Sequence, residues 1–171
     1  MPAIYVCPKS KVPGVTLQIR PSHLITLLDP HDEMPTPGEI SGHRHLKLGM
    51  HDISSSSPEH TAPDEMHVRE LLAFAKDWQR HQPLLIHCWA GISRSTASAF
   101  AIACMLSPPG HEHAIAQLLR QRAAHAQPNT RIVAFADKLL ERDGRMLDAV
   151  DAMGPGKMVF EGVLFSLPLT P

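Results

Sequence analysis

The chain of 171 residues is 43% apolar and 19% charged, with a net charge of −1 and a pI near 6.9. That length suits one domain with its own core, and the balanced charge excludes a nucleic-acid surface, which needs a basic excess or stripe. Three scattered cysteines, Cys7, Cys88 and Cys104, form neither a disulfide framework nor a zinc-finger spacing. The first eleven residues lack the apolar stretch of a secretory signal. The most apolar run, 97–106, is far shorter than the roughly 20 residues of a membrane helix. A cytoplasmic protein with reduced thiols and no membrane partner is expected.

Residues 3–7 read as a short strand, broken by Pro8, Pro13 and Gly14. Residues 24–28 make a stronger strand, ended by Asp29-Pro30. The prolines and glycines of 31–42 leave that stretch as loop. A strand is predicted over 45–50, followed by a loop whose serine run, 54–57, should be mobile. Pro63, Asp64 and Glu65 suit a first helical turn, and Val68, Leu71, Leu72, Ala75 and Trp78 continue at helical spacing. Residues 84–86 are a buried-strand pattern. The alanine-rich 95–106 reads as an inner helix, stopped by Pro108-Pro109-Gly110. Two more helices are marked by Ala114 to Leu119 and by Ile132 to Leu140, the second opened near Pro128-Asn129-Thr130. A last turn or two covers 146–153, and a weakly alternating tail beyond Gly154-Pro155-Gly156 could dock as an edge strand. Strands alternating with helices predict an α/β fold with a central, mostly parallel sheet and helices on both faces. One domain is expected over 1–153, with 154–171 as its tail.

The chemistry concentrates in 84–96, where a buried strand turns into a helix around His87-Cys88-Trp89-Ala90-Gly91-Ile92-Ser93-Arg94-Ser95. Such a turn, at the carboxyl edge of a parallel sheet, is where open α/β folds bind ligands. Its backbone N–H groups converge, and the helix start adds partial positive charge, so the loop is an anion cradle. Cys88 stands in that field, and the thiolate is the nucleophilic form of cysteine. Arg94 can clasp two oxygens of a phosphate with its planar guanidinium. Gly91 frees the backbone to bend inward. A lone cysteine at a strand end is ordinarily an inert small hydrophobe. The conjunction with His87, Gly91, Arg94 and Ser95 reverses that reading.

The spacing His87-Cys88-x-x-Gly91-x-x-Arg94-Ser95 resembles the signature of the cysteine-dependent protein tyrosine phosphatase superfamily, in its small dual-specificity-like branch. The likeness extends loosely over 24–140 and implies a phosphatase-like fold. It implies a phosphocysteine intermediate with Cys88 as nucleophile and Arg94 as the phosphate clasp. Ser95 would assist departure of the thiolate, and His87 would order the phosphate-binding loop, P-loop, of Trp89, Ala90, Gly91, Ile92 and Ser93. The family's general acid is an aspartate on an upstream loop. Asp52, which lies 36 residues before Cys88, matches it better than Asp64, whose place in a helical first turn has an ordinary structural use. Pro128-Asn129 resembles a late Pro-Asn of the same branch, although Asn129 serves equally as a helix cap.

The Trp-Pro-Asp loop of the large tyrosine-specific branch is absent, and no lysine lies between Cys88 and Arg94 as in phosphoinositide-directed members. The resemblance therefore implies a phosphomonoester substrate, a phosphotyrosine protein before others, with no metal or organic cofactor. The same residues admit three rival readings. Twelve histidines, including His43-x-His45 and His111-x-His113, suggest metal binding, but no further ligands follow at a recognised spacing. A sulfur-transfer or arsenate-reducing enzyme could use the same anion loop without the full set of His87, Arg94, Ser95 and Asp52. A catalytically weak phospho-binding module would ordinarily lack one of the nucleophile, arginine or acid.

Overall fold

Every residue of the apolar run Leu84–Cys88 is buried, which only a central strand allows. In the computed structural model, which describes residues 3–169, this run is β4. The other strands are β1 (Ala3–Pro8), β2 (His23–Leu28), β3 (His45–Gly49) and β5 (Phe165–Pro168). They form one sheet in the order β3-β2-β4-β1-β5. All neighbours are parallel except β5, which runs antiparallel along β1 with Ile4 opposite Leu167 and Val6 opposite Phe165. The expected mostly parallel α/β fold is the one observed. The strand expected over 45–50 ends one residue earlier, and Met50 has another use described below.

Side chains alternate across the sheet. Ile4, Val6, Ile25, Leu27, Leu84 and Ile86 enter the main core. That core is closed by α2 (Glu65–Lys76), α3 (Arg94–Met105), α4 (Glu112–Arg122), α5 (Thr130–Leu139) and α6 (Arg145–Met153). Helix α3 is buried over eleven of its twelve residues, as its small apolar residues require. Cys7, Leu24, Leu28 and Leu85 face the other way, where α1 (Val12–Ile19) covers them together with Met34 and Ile40 of the loop after β2. The two faces are thus clad unequally.

Helix α1 departs from the sequence reading, which took Pro13 and Gly14 as breakers. Pro13 sits at the helix start, where the missing N–H would have had no partner. Burial of Val12 and Val15 then holds the helix against the sheet. Asp64 caps α2: its carboxylate accepts from the His67 amide, and His67 Nδ1 accepts from the Asp64 amide. The serine-rich loop is clasped at its base, since the His51 amide donates to the Thr61 carbonyl and the Thr61 amide to His51 Nδ1.

Candidate active site

Between β4 and α3 the chain makes a tight loop whose carbonyls are drawn outward. The Trp89 carbonyl accepts from the Lys9 amide at 3.1 Å, Ala90 from Gly162 at 2.8 Å, Ile92 from Gln127 at 2.9 Å and Ser93 from Asn129 at 3.2 Å. His125, buried beneath the loop, stands beside the Gly91 carbonyl. Its ring is held below the ordinary histidine range by burial, against a smaller opposing effect of that carbonyl. Among the described residues the amides of 90–93 donate to no protein group. Four unpaired N–H groups on one short loop form the concave donor surface that an anion fits.

Gly91 makes this path possible. Its φ is +69°, and an added Cβ would lie 2.8 Å from the Pro8 nitrogen and 2.9 Å from the Cys7 carbonyl carbon. No L side chain fits there without moving backbone. Cys88 ends β4 almost wholly buried, with its Sγ 3.1 Å from Ser95 Oγ in the first turn of α3. Either group can donate in this contact, and to a thiolate only the hydroxyl can donate.

Arg94 is buried, and its guanidinium is divided in use. Nη1 donates to Asp29 Oδ1 at 2.8 Å and to the Met50 carbonyl at 2.7 Å. Nε is buried with no partner, and among the described residues Nη2 has none either. An unsatisfied guanidinium edge in a buried site costs free energy unless a ligand completes it. The free edge, Nε with Nη2, has the fork geometry that takes two oxygens of a phosphate.

Asp52 lies on the loop after β3. Its Oδ1 accepts from Ser93 Oγ at 2.7 Å and from Asn129 Nδ2 at 2.9 Å. Asn129 both holds Asp52 and caps a helix, because its Oδ1 also accepts the Arg131 and Ile132 amides as the N-cap of α5. Asp64 faces its own helix start and makes no bond to the loop.

His87 points to the opposite face from the sulfur's surroundings. Its Nδ1 lies 3.3 Å from the Cys88 carbonyl, and its Nε2 lies 2.7 Å from Thr26 Oγ1. Thr26 Oγ1 is also 2.8 Å from His45 Nε2, and His45 Nδ1 is 2.8 Å from Thr36 Oγ1. Burial pushes both rings down to about 4, so both are neutral at neutral pH. One proton arrangement satisfies the row. His87 donates from Nδ1 and accepts at Nε2 from Thr26, whose oxygen accepts from His45 Nε2, while His45 Nδ1 accepts from Thr36. His87 therefore orders the end of β4 through backbone.

The sequence reading missed Asp29, Thr26, His45, His125 and Gly162. Asp29 offered one signal, an acid at the end of a strand parallel to β4, hence at the same edge of the sheet. Burial pushes the thiols of Cys7 and Cys104 up to about 12, with the Cys88 sulfur adding to the effect at Cys7. Among the described residues, no three His, Cys, Asp or Glu side chains converge as a metal ion requires. No described helix is long and apolar enough to cross a membrane.

No protein-family model matches the sequence, and no curated protein matches it significantly. Solved structures do match the fold. The crystal structure of DUSP15 aligns with a TM-score of 0.63 at 17% identity, covering 88% of this chain and 92% of that one. Human DUSP28 aligns at 0.62 and 15% identity, covering 81% and 91%. PTPMT1 in complex with PI(5)P aligns at 0.58 and 17% identity, covering 80% and 86%. The chain thus has the fold of the small, dual-specificity-like cysteine phosphatases.

Proposed function

We propose that the chain is a phosphomonoester hydrolase working through a phosphocysteine intermediate, with phosphotyrosine protein as its leading substrate. The observation that carries this reading is Arg94, whose Nη1 is tied to Asp29 and Met50 while its Nε edge stays buried and unpaired. Arg142, held in the core, also buries an unpaired Nε, but both of its terminal nitrogens are bonded, to Glu112 and to the Cys104 and Ser107 carbonyls; among the described residues Arg94 leaves Nη2 without a partner beside its unpaired Nε. The adjacent unpaired loop amides and the sulfur between them give the anion a nucleophile.

The roles follow from position. Cys88 sulfur attacks phosphorus, and the bond from phosphorus to the ester oxygen breaks as Asp52 gives that oxygen a proton. Loop amides and Arg94 hold the three equatorial oxygens, where charge accumulates. Asp52 then takes a proton from water, the water oxygen attacks phosphorus, and the thiolate leaves while Ser95 Oγ donates to it. Ser93 and Asn129 hold one Asp52 oxygen and leave the other for these transfers. No step calls for a cofactor. A recessed sulfur favours an aryl phosphate, whose ring extends the phosphate away from the peptide backbone. The PI(5)P bound to PTPMT1 marks lipid phosphate as the comparison substrate.

The test is hydrolysis of p-nitrophenyl phosphate with reductant and chelator present, comparing wild type with Cys88→Ser. Turnover by wild type alone is expected. Equal turnover by the serine variant overturns the nucleophile, and no wild-type turnover overturns the hydrolase.

A further inference from the structure

Beside the anion loop lies a groove of about 430 Å³ lined by Lys9, Pro13, Met34, Trp89, Ala90 and Phe160. Lys9 follows β1, Met34 follows β2, and Trp89 and Ala90 follow β4. The groove therefore opens on the same carboxyl edge of the sheet as the loop itself, and Trp89 is the residue next to Cys88. Its outer wall comes from the tail, a segment the catalytic roles leave unused.

That wall is fastened. The Lys157 amide donates to the Ala124 carbonyl at 2.7 Å, and the Gly162 amide to the Ala90 carbonyl at 2.8 Å. Ser10 donates its hydroxyl to Glu161. Gly162 is needed for the approach, since a Cβ there would lie 2.6 Å from His125 Nε2 and 2.9 Å from the Gly91 carbonyl oxygen. Phe160 is thus held across the groove by its neighbours while the residue itself stays 92% exposed. Trp89 is 58% exposed, with Lys9 Nζ 5.3 Å from its ring centroid. Two exposed aromatic rings on a common groove are the composition of a recognition hot spot. The volume falls within the roughly 300–1,000 Å³ of sites that take small organic groups.

We infer that this groove is a specificity subsite for an apolar, preferably aromatic, side chain flanking the phosphorylated residue of a protein substrate. The inference rests on the phosphatase reading for its placement. The occupant is set by continuity with the anion loop. Trp89 and Ala90 belong both to the anion loop and to the groove wall, so the groove is the apolar surface adjoining a phosphate held by that loop. A peptide supplies side chains there, and the groove offers them aromatic walls. Lys9 at one rim and Glu161 at the other leave no net charge to attract an anionic bilayer.

The test measures binding by the Cys88→Ser protein. Two phosphotyrosine peptides are titrated, identical except for Phe or Gly on both sides of the phosphotyrosine. The Phe peptide is expected to bind about tenfold more tightly, with that ratio falling to near one when Phe160→Ala is added. Its melting temperature checks that the second variant folds, and Phe160→Leu, which keeps an apolar wall, should retain most of the ratio. Equal binding of the two peptides, binding of neither, or a ratio that survives Phe160→Ala overturns the subsite. Loss of self-association or of vesicle binding in Phe160→Ala, without any peptide preference, would give the groove to a second copy or a bilayer and also overturns it. Failure of the phosphatase reading shows separately, as absent wild-type turnover of p-nitrophenyl phosphate.

Discussion

Asp29 and Arg94 meet at 2.8 Å across the carboxyl edge of the sheet, and their contact decides which half of the guanidinium is free. Asp29 occupies Nη1 together with the Met50 carbonyl, so the Nε edge is the half left free. Asp29 is a positioning residue, since it reaches phosphate only through Arg94. Asp29→Ala is expected to lower kcat/KM roughly tenfold to a hundredfold, about 1.4 to 2.7 kcal/mol of transition-state stabilisation. Asp29→Asn keeps an acceptor for Nη1 and should recover much of that loss. Steady-state kinetics on p-nitrophenyl phosphate read both, and equal defects in the two variants would count against a positioning role.

Asn129 joins α5 to Asp52, and the two duties separate by substitution. Asn129→Ser keeps a capping oxygen, so the melting temperature should barely change. It removes the amide that holds Asp52 Oδ1, and kcat should fall several-fold. Asn129→Ala should show the same kinetic loss plus about 1 kcal/mol of stability from the missing cap. Unchanged kcat in both variants would leave Asn129 as a cap only.

Asp52→Ala is expected to lower kcat by on the order of 10²–10³ for an alkyl phosphate, whose leaving oxygen needs a proton. The loss should be much smaller for p-nitrophenyl phosphate, whose leaving group departs as a stable anion. Asp64→Ala should instead lower the melting temperature, through its capping box, and leave the ratio of the two substrates unchanged. The reverse pattern would transfer the acid to Asp64.

The site motif is legible in sequence because it is local: seven consecutive residues from Cys88 to Arg94 form the loop, and their spacing survives without knowledge of the fold. Asp52 is legible by its place after a strand. What could not be read is what holds the motif. Asp29 lies 65 residues from Arg94, and Gly162 reaches Ala90 from the far end of the chain. These pairings exist only once β1, β2 and β4 lie side by side. Helix α1 escaped because Pro13 and Gly14 suggest a break, whereas burial of Val12 and Val15 overrides their propensity.

The row His87, Thr26, His45 and Thr36 makes the fold sensitive to acid. Both rings ionise near 4 in the folded chain against 6.5 when free. Between those values the unfolded chain binds more protons, so stability is full above about pH 6.5 and falls as pH drops toward 4. The expected loss is on the order of a few kcal/mol. Thermal unfolding from pH 7.5 to 4.5 should show it, with a flatter profile in Thr26→Val/His45→Leu. A profile identical in that variant would remove the row as its cause.

Gly91→Ala places a methyl group 2.8 Å from the Pro8 nitrogen at a φ of +69°. Strain on the order of 1–3 kcal/mol is expected, read as a lower melting temperature, together with loss of vanadate binding as the amides rotate out of line. A variant of wild-type affinity would show that the loop amides do not hold the anion.

The most direct measurement is acid quenching of a single turnover with a radiolabelled aryl phosphate, using wild type, Ser95→Ala and Cys88→Ser. Label should remain covalently on the chain at Cys88, accumulate further in Ser95→Ala because the thiolate leaves more slowly, and be absent from Cys88→Ser. Turnover without label on the chain, or label on a residue other than Cys88, would contradict a phosphocysteine mechanism at this loop.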